Sequence, residues 1–296
     1  SSTKLHWALS LATQNAGCEG EKICRFTQGY DEEFAKICTI SVGARTVYLD
    51  SLIKDFVQQG GEQLVVMAAG MDTRAFRLRE LVACNVYEVD FPETFKMKRE
   101  RLGDAKHSCL NRVEIPLDIS KGNWDDCLLG AGFDKSKVSF FLLEGLVMYL
   151  PKEANMDIFR KVSKLSCKGS MMAGDWQCMA TINMFMPKPL DMIDYITRVM
   201  CKAPFVWGPR DSEHFKAILR ENGMEVDELL NYDLHQPAFI ERLCKILGYK
   251  PAQLEHLPEI KLSCFAKLWI HLWYLPGIYF GRIPKVTGAL YLAKKK

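Results

Sequence analysis

Short apolar runs alternating with helix-like stretches constrain this chain more than any other feature of it. Val65-Val66-Met67, Val86-Tyr87-Glu88-Val89, Val113-Glu114-Ile115 and Val138-Ser139-Phe140-Phe141-Leu142-Leu143 are rich in β-branched and aromatic residues. Such runs suit strands covered on both faces, as in a parallel sheet. Thr73 to Val82, Pro92 to Leu102 and Pro151 to Leu165 read as helices, and the last two open on proline. Its fixed φ and missing N–H fit a first helical turn. Strand alternating with helix predicts right-handed βαβ units in an α/β fold with a doubly wound, mostly parallel sheet.

Around that core the first sixty residues read as helical, with Phe34, Ile37, Val42, Leu49, Leu52, Ile53 and Phe56 spaced for an apolar face. Asn183 to Lys202 carries Met184, Phe185, Met186, Leu190, Ile193, Ile196 and Met200. Flexible methionines suit a helical lid over a pocket, and a plain core helix is the other reading. No repeat, low-complexity tract or Gly/Ser linker divides the chain. The expectation is one domain over 1–296, with an N-terminal helical cap at 1–60 and a core at 61–177. A lid and substrate region follows at 178–222, then C-terminal strands and helices at 223–296.

Composition removes several classes of function. Lys plus Arg exceeds Asp plus Glu by 39 − 36 = 3, with only Lys294, Lys295 and Lys296 clustered, so no nucleic-acid groove is indicated. The eleven cysteines form no CxxC pair and stand at no metal-ligand spacing to histidine. They read as reduced thiols of a cytoplasmic protein, with no metal site. Ser1 to Gly20 lacks an apolar stretch behind a basic start, so no secretory signal is expected there. Leu268 to Gly281 is apolar but contains His271 and Pro276 and is too short to span a bilayer, which argues against stable membrane insertion.

An open parallel sheet binds its ligand at the carboxyl ends of its strands, so the residues that close each strand carry the functional signal. The first run leads into Ala68-Ala69-Gly70-Met71-Asp72-Thr73-Arg74, where Gly70 tolerates positive φ and close approach of a ligand. The second ends at Asp90, twenty residues after Gly70, where a carboxylate can accept from both hydroxyls of a ribose. The third leads to Asp118 and Ile119, an acceptor and an apolar side chain for a base. The fourth ends at Glu144-Gly145. No GxGxxG occurs, so the turn is poorly suited to the pyrophosphate of a nicotinamide dinucleotide. Acidic strand ends suit the positive centres of S-adenosylmethionine, whose carboxylate Arg45 can balance. Each acid also has a structural reading: Asp90 as the cap of the next helix, Glu144 as the partner of a nearby arginine.

The segments "MAAGMDTRAFRL", "YEVDFPETFKMKRERL", "PLDIS" and "LLEGLVMYLP" resemble, in order and spacing, the successive motifs of the leucine carboxyl and tetracenomycin-type methyltransferases. "VGARTVYLDSLIKDFV" is similar to that family's Arg-bearing helix, and the likeness covers roughly residues 24 to 175. The resemblance implies a Rossmann-like class I methyltransferase fold and S-adenosyl-L-methionine as cofactor. It implies Arg45 at the methionine carboxylate, Gly70 at the close turn, Asp90 at the ribose, Asp118 and Ile119 at adenine, and Glu144 at the methionine amine. Asp72, Thr73 and Arg74 stand inside the strongest motif and shape the same site; Arg25, in "CRFTQGY", matches a second basic position only loosely. Where the family has the turn's first glycine, this chain has Ala68.

Past residue 176 the likeness fades. Tyr149, Trp176, Trp207 and His214 are the candidate substrate residues, each with a core or structural role as the alternative. Methyl transfer is an in-line displacement in which alignment does most of the work. No residue stands out as a catalytic base, which favours an ionised acceptor such as a carboxylate over a hydroxyl. The expected partner is a small-molecule acceptor. A protein C-terminal carboxylate and a non-catalytic ligand-binding role on the same fold are the alternatives, with an oxidoreductase disfavoured by the missing glycine motif.

Overall fold

The structure is a computed structural model that describes residues 31–178, 205–231, 241–242, 245–246 and 288–296. The first thirty residues, the Asn183 to Lys202 stretch and the Leu268 to Gly281 stretch lie outside the described residues. The elements, in chain order, are α1 (Asp31–Gln58), β1 (Gln63–Met67), α2 (Arg74–Arg77), β2 (Asn85–Asp90), α3 (Pro92–Leu102) and β3 (Asn111–Pro116). Then come α4 (Trp124–Gly130), β4 (Ser139–Leu143), α5 (Lys152–Leu165), β5 (Met171–Gln177), α6 (Ser212–Glu221), β6 (Met224–Asn231) and β7 (Gly288–Lys295).

The strands form a seven-stranded sheet in the order β3-β2-β1-β4-β5-β7-β6. β1 pairs in parallel with β2 and β4, β2 with β3, and β4 with β5. Lys295 donates to the Ser170 carbonyl (2.8 Å) and accepts from Gly169 N (3.0 Å), while Gly288 lies against Gln177 at the other end of β5. β7 therefore runs antiparallel to β5. The order reverses direction at β1, which places the crevice between the exits of β1 and β4.

Leu49–Trp176, Val206–Leu229 and Leu290–Lys296 form one compact unit, and the remaining described residues belong to a second. In the first of these, every residue of β1 and β4 is buried. Phe56 of α1 meets Phe140 of β4 edge to face with centroids 5.4 Å apart. Across β5, Phe215 of α6 packs on Trp176 (5.3 Å) and Tyr291 (4.8 Å). These rings add to a core that is otherwise largely aliphatic. At Gly174 a Cβ would sit 2.2 Å from the Leu143 carbonyl oxygen, so only glycine lets β5 approach β4 there. Among the described residues no helix is long and apolar enough to cross a membrane.

The Thr73 to Val82 stretch, expected as one helix, is two pieces: α2 and a 3-10 segment over Arg79–Ala83, broken at an extended Leu78 (φ −89°, ψ 100°). Ser108 explains the break. Its hydroxyl donates to the carbonyls of Ala75 and Leu78, and its amide to Ala75, taking acceptors that a continuous helix would use.

Candidate functional site

The chain leaving β1 turns sharply, with Ala68 at φ 53° and Gly70 at φ 48°. Gly70 takes that conformation without strain, whereas an L side chain at so positive a φ is strained whatever the space around it. Ala68 stores that strain. Ala68→Gly is expected to stabilise the protein by about 0.5 kcal/mol and Ala68→Val to destabilise it by more than about 1 kcal/mol, read from urea midpoints. A less stable Ala68→Gly protein would show that the alanine's own contacts outweigh the strain.

Asp90 closes β2 and is 8% exposed. Its Oδ2 accepts from Gly70 N and its Oδ1 from Phe91 N, both at 2.6 Å. The carboxylate thus pins the β1 turn to the end of β2. The residue capping α3 is Phe91, with no side-chain cap, so the helix-cap reading of Asp90 does not hold. Each oxygen accepts one N–H here and keeps a second lone pair for a hydroxyl donor. Above the turn, a Cβ built on Gly70 meets nothing nearer than the Ala68 carbonyl oxygen at 4.0 Å, so the space over it is open.

Beside this turn lies a cluster of charge. Arg74 is 3% exposed, and its Nε donates to Asp50 Oδ1 at 2.7 Å. Its Nη1 contacts Glu144 Oε2 at 2.7 Å and also Asp72 Oδ2, while its backbone N donates to Asp72 Oδ1 at 2.6 Å. Nη2 is buried and has no hydrogen-bond partner among the described residues. Arg77 grips Asp50 from the other side, its Nη2 2.8 Å from Oδ1 and its Nη1 on Oδ2. Among the described residues, three carboxylates face these two guanidiniums.

Burial alone would push the Asp72 carboxyl up, but the pull of Arg74, Lys98 and Arg77 outweighs it and its pKa falls below the ordinary 3.8. Burial likewise opposes the charge on Arg74, and Asp72, Glu144 and Asp50 more than restore it. A carboxyl depressed on folding adds stability that is complete above its unfolded pKa and is lost as pH falls through the folded value. Asp72→Asn should therefore lower the melting temperature at pH 7. The gap to wild type should close only below roughly pH 4, and a gap that stayed constant into acid would show that Asp72 ionisation is not coupled to folding.

The other expected site residues are spread more widely. Asp118 caps a 3-10 turn at the exit of β3, its Oδ1 accepting from Ser120 N (3.0 Å) and Ser120 Oγ (2.6 Å). Ile119 beside it is buried. Pro116 of β3 is in register with Asp90, and Leu117 N donates to the Asp90 carbonyl at 2.8 Å, so Asp118 follows close on Asp90 along the same edge. Tyr149 is half-buried in a 3-10 turn, and neighbouring Met148 accepts from Val206 N (2.8 Å) and Trp207 N (3.5 Å), which brings Trp207 to that turn. Trp176 is fully buried in the core against Phe215. His214 lies in the first turn of α6, where its Nδ1 faces Arg210 N at 3.0 Å and its N donates to Asp211 at 2.8 Å. Thr73 precedes α2 as its cap residue. Arg45 is half-buried on α1, in the second unit.

Reading the sequence missed three contributors: Asp50, Arg77 and Asp175, whose Oδ1 accepts from Gly145 N at 2.6 Å and so holds the turn after β4. An acid within an apolar strand or helix face, as in "VYLDSLI" and "AGDWQ", was the available signal. Among the described residues, no three His, Cys, Asp or Glu side chains gather as a metal site.

The profile of the leucine carboxyl methyltransferase family matches residues 10–163, more than half of the 296 residues. The chain belongs to the leucine carboxyl methyltransferase family. This family member is 36% identical over 155 residues to a protein of Mycolicibacterium smegmatis provisionally named an S-adenosyl-L-methionine-dependent methyltransferase, across 51% of this chain and 48% of that one. It is 35% identical over 136 residues to a like-named protein of Mycobacterium avium, across 46% and 44%. The chain thus spans about half the length of the curated relatives it matches. Two solved structures share its fold: a provisionally named methyltransferase of Thermobifida fusca (TM-score 0.54, 14% identity, 94% of this chain and 87% of that) and a DUF574-family protein of Streptomyces avermitilis (TM-score 0.53, 12% identity, 87% and 85%). The sheet of this chain is accordingly of the Rossmann-like, class I methyltransferase fold.

Proposed function

We propose that this chain is an S-adenosyl-L-methionine-dependent methyltransferase acting on an oxygen of a small-molecule acceptor, carboxylate or hydroxyl. The observation that carries the reading is the Asp90 carboxylate at the end of β2, pinned to the Gly70 amide, with Glu144 at the end of β4 as a second acid on the same edge. The residues suit the cofactor by charge and by space. Asp90 keeps acceptor capacity for ribose hydroxyls, the surface over Gly70 is open, and the acids Asp90 and Glu144 on this edge suit a ligand that is positive at sulfur and at its amine. Asp118 and Ile119 are assigned to adenine, Arg45 to the carboxylate of the methionine part and Asp72 to the shape of the turn. The names of the mycobacterial relatives support this choice of cofactor.

When bound, the cofactor supplies a methyl group on positively charged sulfur. The protein's own contribution is to hold the two reactants in line, worth roughly 7–11 kcal/mol when the geometry is right. The reading invokes no metal and no protein base, which fits an acceptor already ionised at neutral pH. Tyr149 and Trp207 at their shared turn are the proposed acceptor-side residues, with His214 as a further candidate. The free cysteines among the described residues fit a cytoplasmic setting.

Glu144→Gln keeps the side chain's shape and removes its charge. It should weaken S-adenosylhomocysteine binding and slow turnover together, by about tenfold each. Turnover abolished with binding intact would make Glu144 a participant in the chemistry and overturn the alignment-only mechanism. Methyl incorporation from labelled S-adenosylmethionine, screened across small carboxylates, phenols and peptides with a free C-terminus, tests the acceptor. Labelling confined to peptides would replace the small-molecule assignment with a protein carboxylate.

A further inference from the structure

We propose that Asp50 is a positioning residue for the amino-acid end of the cofactor, acting through Arg74 on Glu144; this rests on the function proposed above. Asp50 stands near the end of α1, on an element that contributes no strand-end residue. A guanidinium is planar, so fixing its Nε fixes the directions of both terminal nitrogens. Asp50 holds that Nε at 2.7 Å, and Nη1 is thereby aimed at Glu144 Oε2, also at 2.7 Å. Arg77 grips both oxygens of Asp50 and so fixes the residue that fixes Arg74.

The remaining donor makes the same point from the other side. Nη2 of Arg74 is buried with no hydrogen-bond partner among the described residues, so the guanidinium has settled where Asp50, Asp72 and Glu144 pull it and not where all its donors are served. With the side chain 3% exposed and Asp50 14% exposed, solvent screens these contacts little. Among the described residues, removing the Asp50 charge leaves Arg74 answering to Asp72 and Glu144. The guanidinium then turns, and its Nη1 no longer fixes the Glu144 carboxylate from this side. Among the described residues Asp90 shares no ion pair with this relay, and its bonds to Gly70 N and Phe91 N do not pass through Asp50, so the ribose side is expected to keep its geometry.

The test is calorimetric titration of the full chain with two probes. One is S-adenosylhomocysteine; the other is 5′-methylthioadenosine, which keeps the adenosine and lacks the amino-acid end. Asp50→Asn should weaken the first about tenfold and leave the second within about twofold. In the Glu144→Gln background it should add nothing further, because the two act in series. Lys54→Ala, which removes the exposed Lys54–Glu80 pair on the same helix, should change neither. Equal weakening of both probes, unchanged S-adenosylhomocysteine affinity, or additive losses in the double variant would overturn the proposal. Should Asp50→Asn fail to fold, Asp50→Glu keeps the charge but shifts it by one methylene. A loss of about threefold for S-adenosylhomocysteine alone then supports the relay, and wild-type affinity for both probes overturns it. A wild-type protein that bound neither probe would overturn the function proposed above, and this proposal with it.

Discussion

Arg74→Ala is expected to destabilise the fold by about 3–5 kcal/mol, the cost typical of breaking a buried ion pair and leaving its partner charged. The reason is local. Asp50, Asp72 and Glu144 all meet at this guanidinium, and its removal takes a direct ion-pair partner from each of them. Asp72 would then lose the cation that most lowers its carboxyl, with its burial unchanged. Against a total stability of about 5–15 kcal/mol, such a loss is large enough to lower the amount of folded protein at 37 °C. Arg74→Lys should recover only part of it, because an ammonium cannot reach several carboxylates in the fixed directions of the fork. Urea unfolding decides the matter. An Arg74→Ala midpoint within about 1 kcal/mol of wild type would show that solvent already neutralises the cluster.

Asp90→Ala should bring the largest loss of binding, at least tenfold in S-adenosylhomocysteine affinity by charge-assisted bonding of about 1.5–3 kcal/mol, with the lost hold on the turn adding to it. Stability should fall as well, since the amides of Gly70 and Phe91 both lose their acceptor. Asp90→Asn is the more informative variant. Two N–H groups point at the two oxygens, and an amide offers one acceptor and one donor, so one of them must face an N–H. Asparagine is therefore expected to behave nearer to alanine than to aspartate. An Asn variant with wild-type affinity would remove the carboxylate from the ribose role.

The parts of the fold legible in the sequence are those set by local pattern. Pro92–Leu102 forms the helix its proline start announces, and the four apolar runs all contain strands, although Val138 falls outside β4 and is exposed. What was not legible depends on partners distant in sequence. Nothing within Thr73 to Val82 reveals the break at Leu78, because Ser108 causes it from about thirty residues away. Glu88 sits in a central strand at 1% exposure, which local patterning forbids until its partners are known. Lys98 from α3 (2.7 Å) and Arg112 from β3 (2.6 Å) converge on its Oε2, and that pairing is tertiary.

The site divides along the same line. Gly70 and Asp90 were readable because their twenty-residue spacing follows from one βαβ unit, and the structure joins them with a single hydrogen bond of 2.6 Å. Glu144 was readable as a strand end, and its arginine partner, raised as the structural alternative, is Arg74. Asp50 was legible only as an acid on an apolar helix face; that its partner is Arg74 is set by folding.

A crystal structure of the chain with S-adenosylhomocysteine tests the central claim most directly. The account predicts both ribose hydroxyls within hydrogen-bond distance of the Asp90 carboxylate, the adenosine lying over Gly70, and the amine on the side of Glu144. A nucleoside bound away from the exits of β1, β2 and β4, or turned so that its ribose faces Glu144 and its amine faces Asp90, would contradict it.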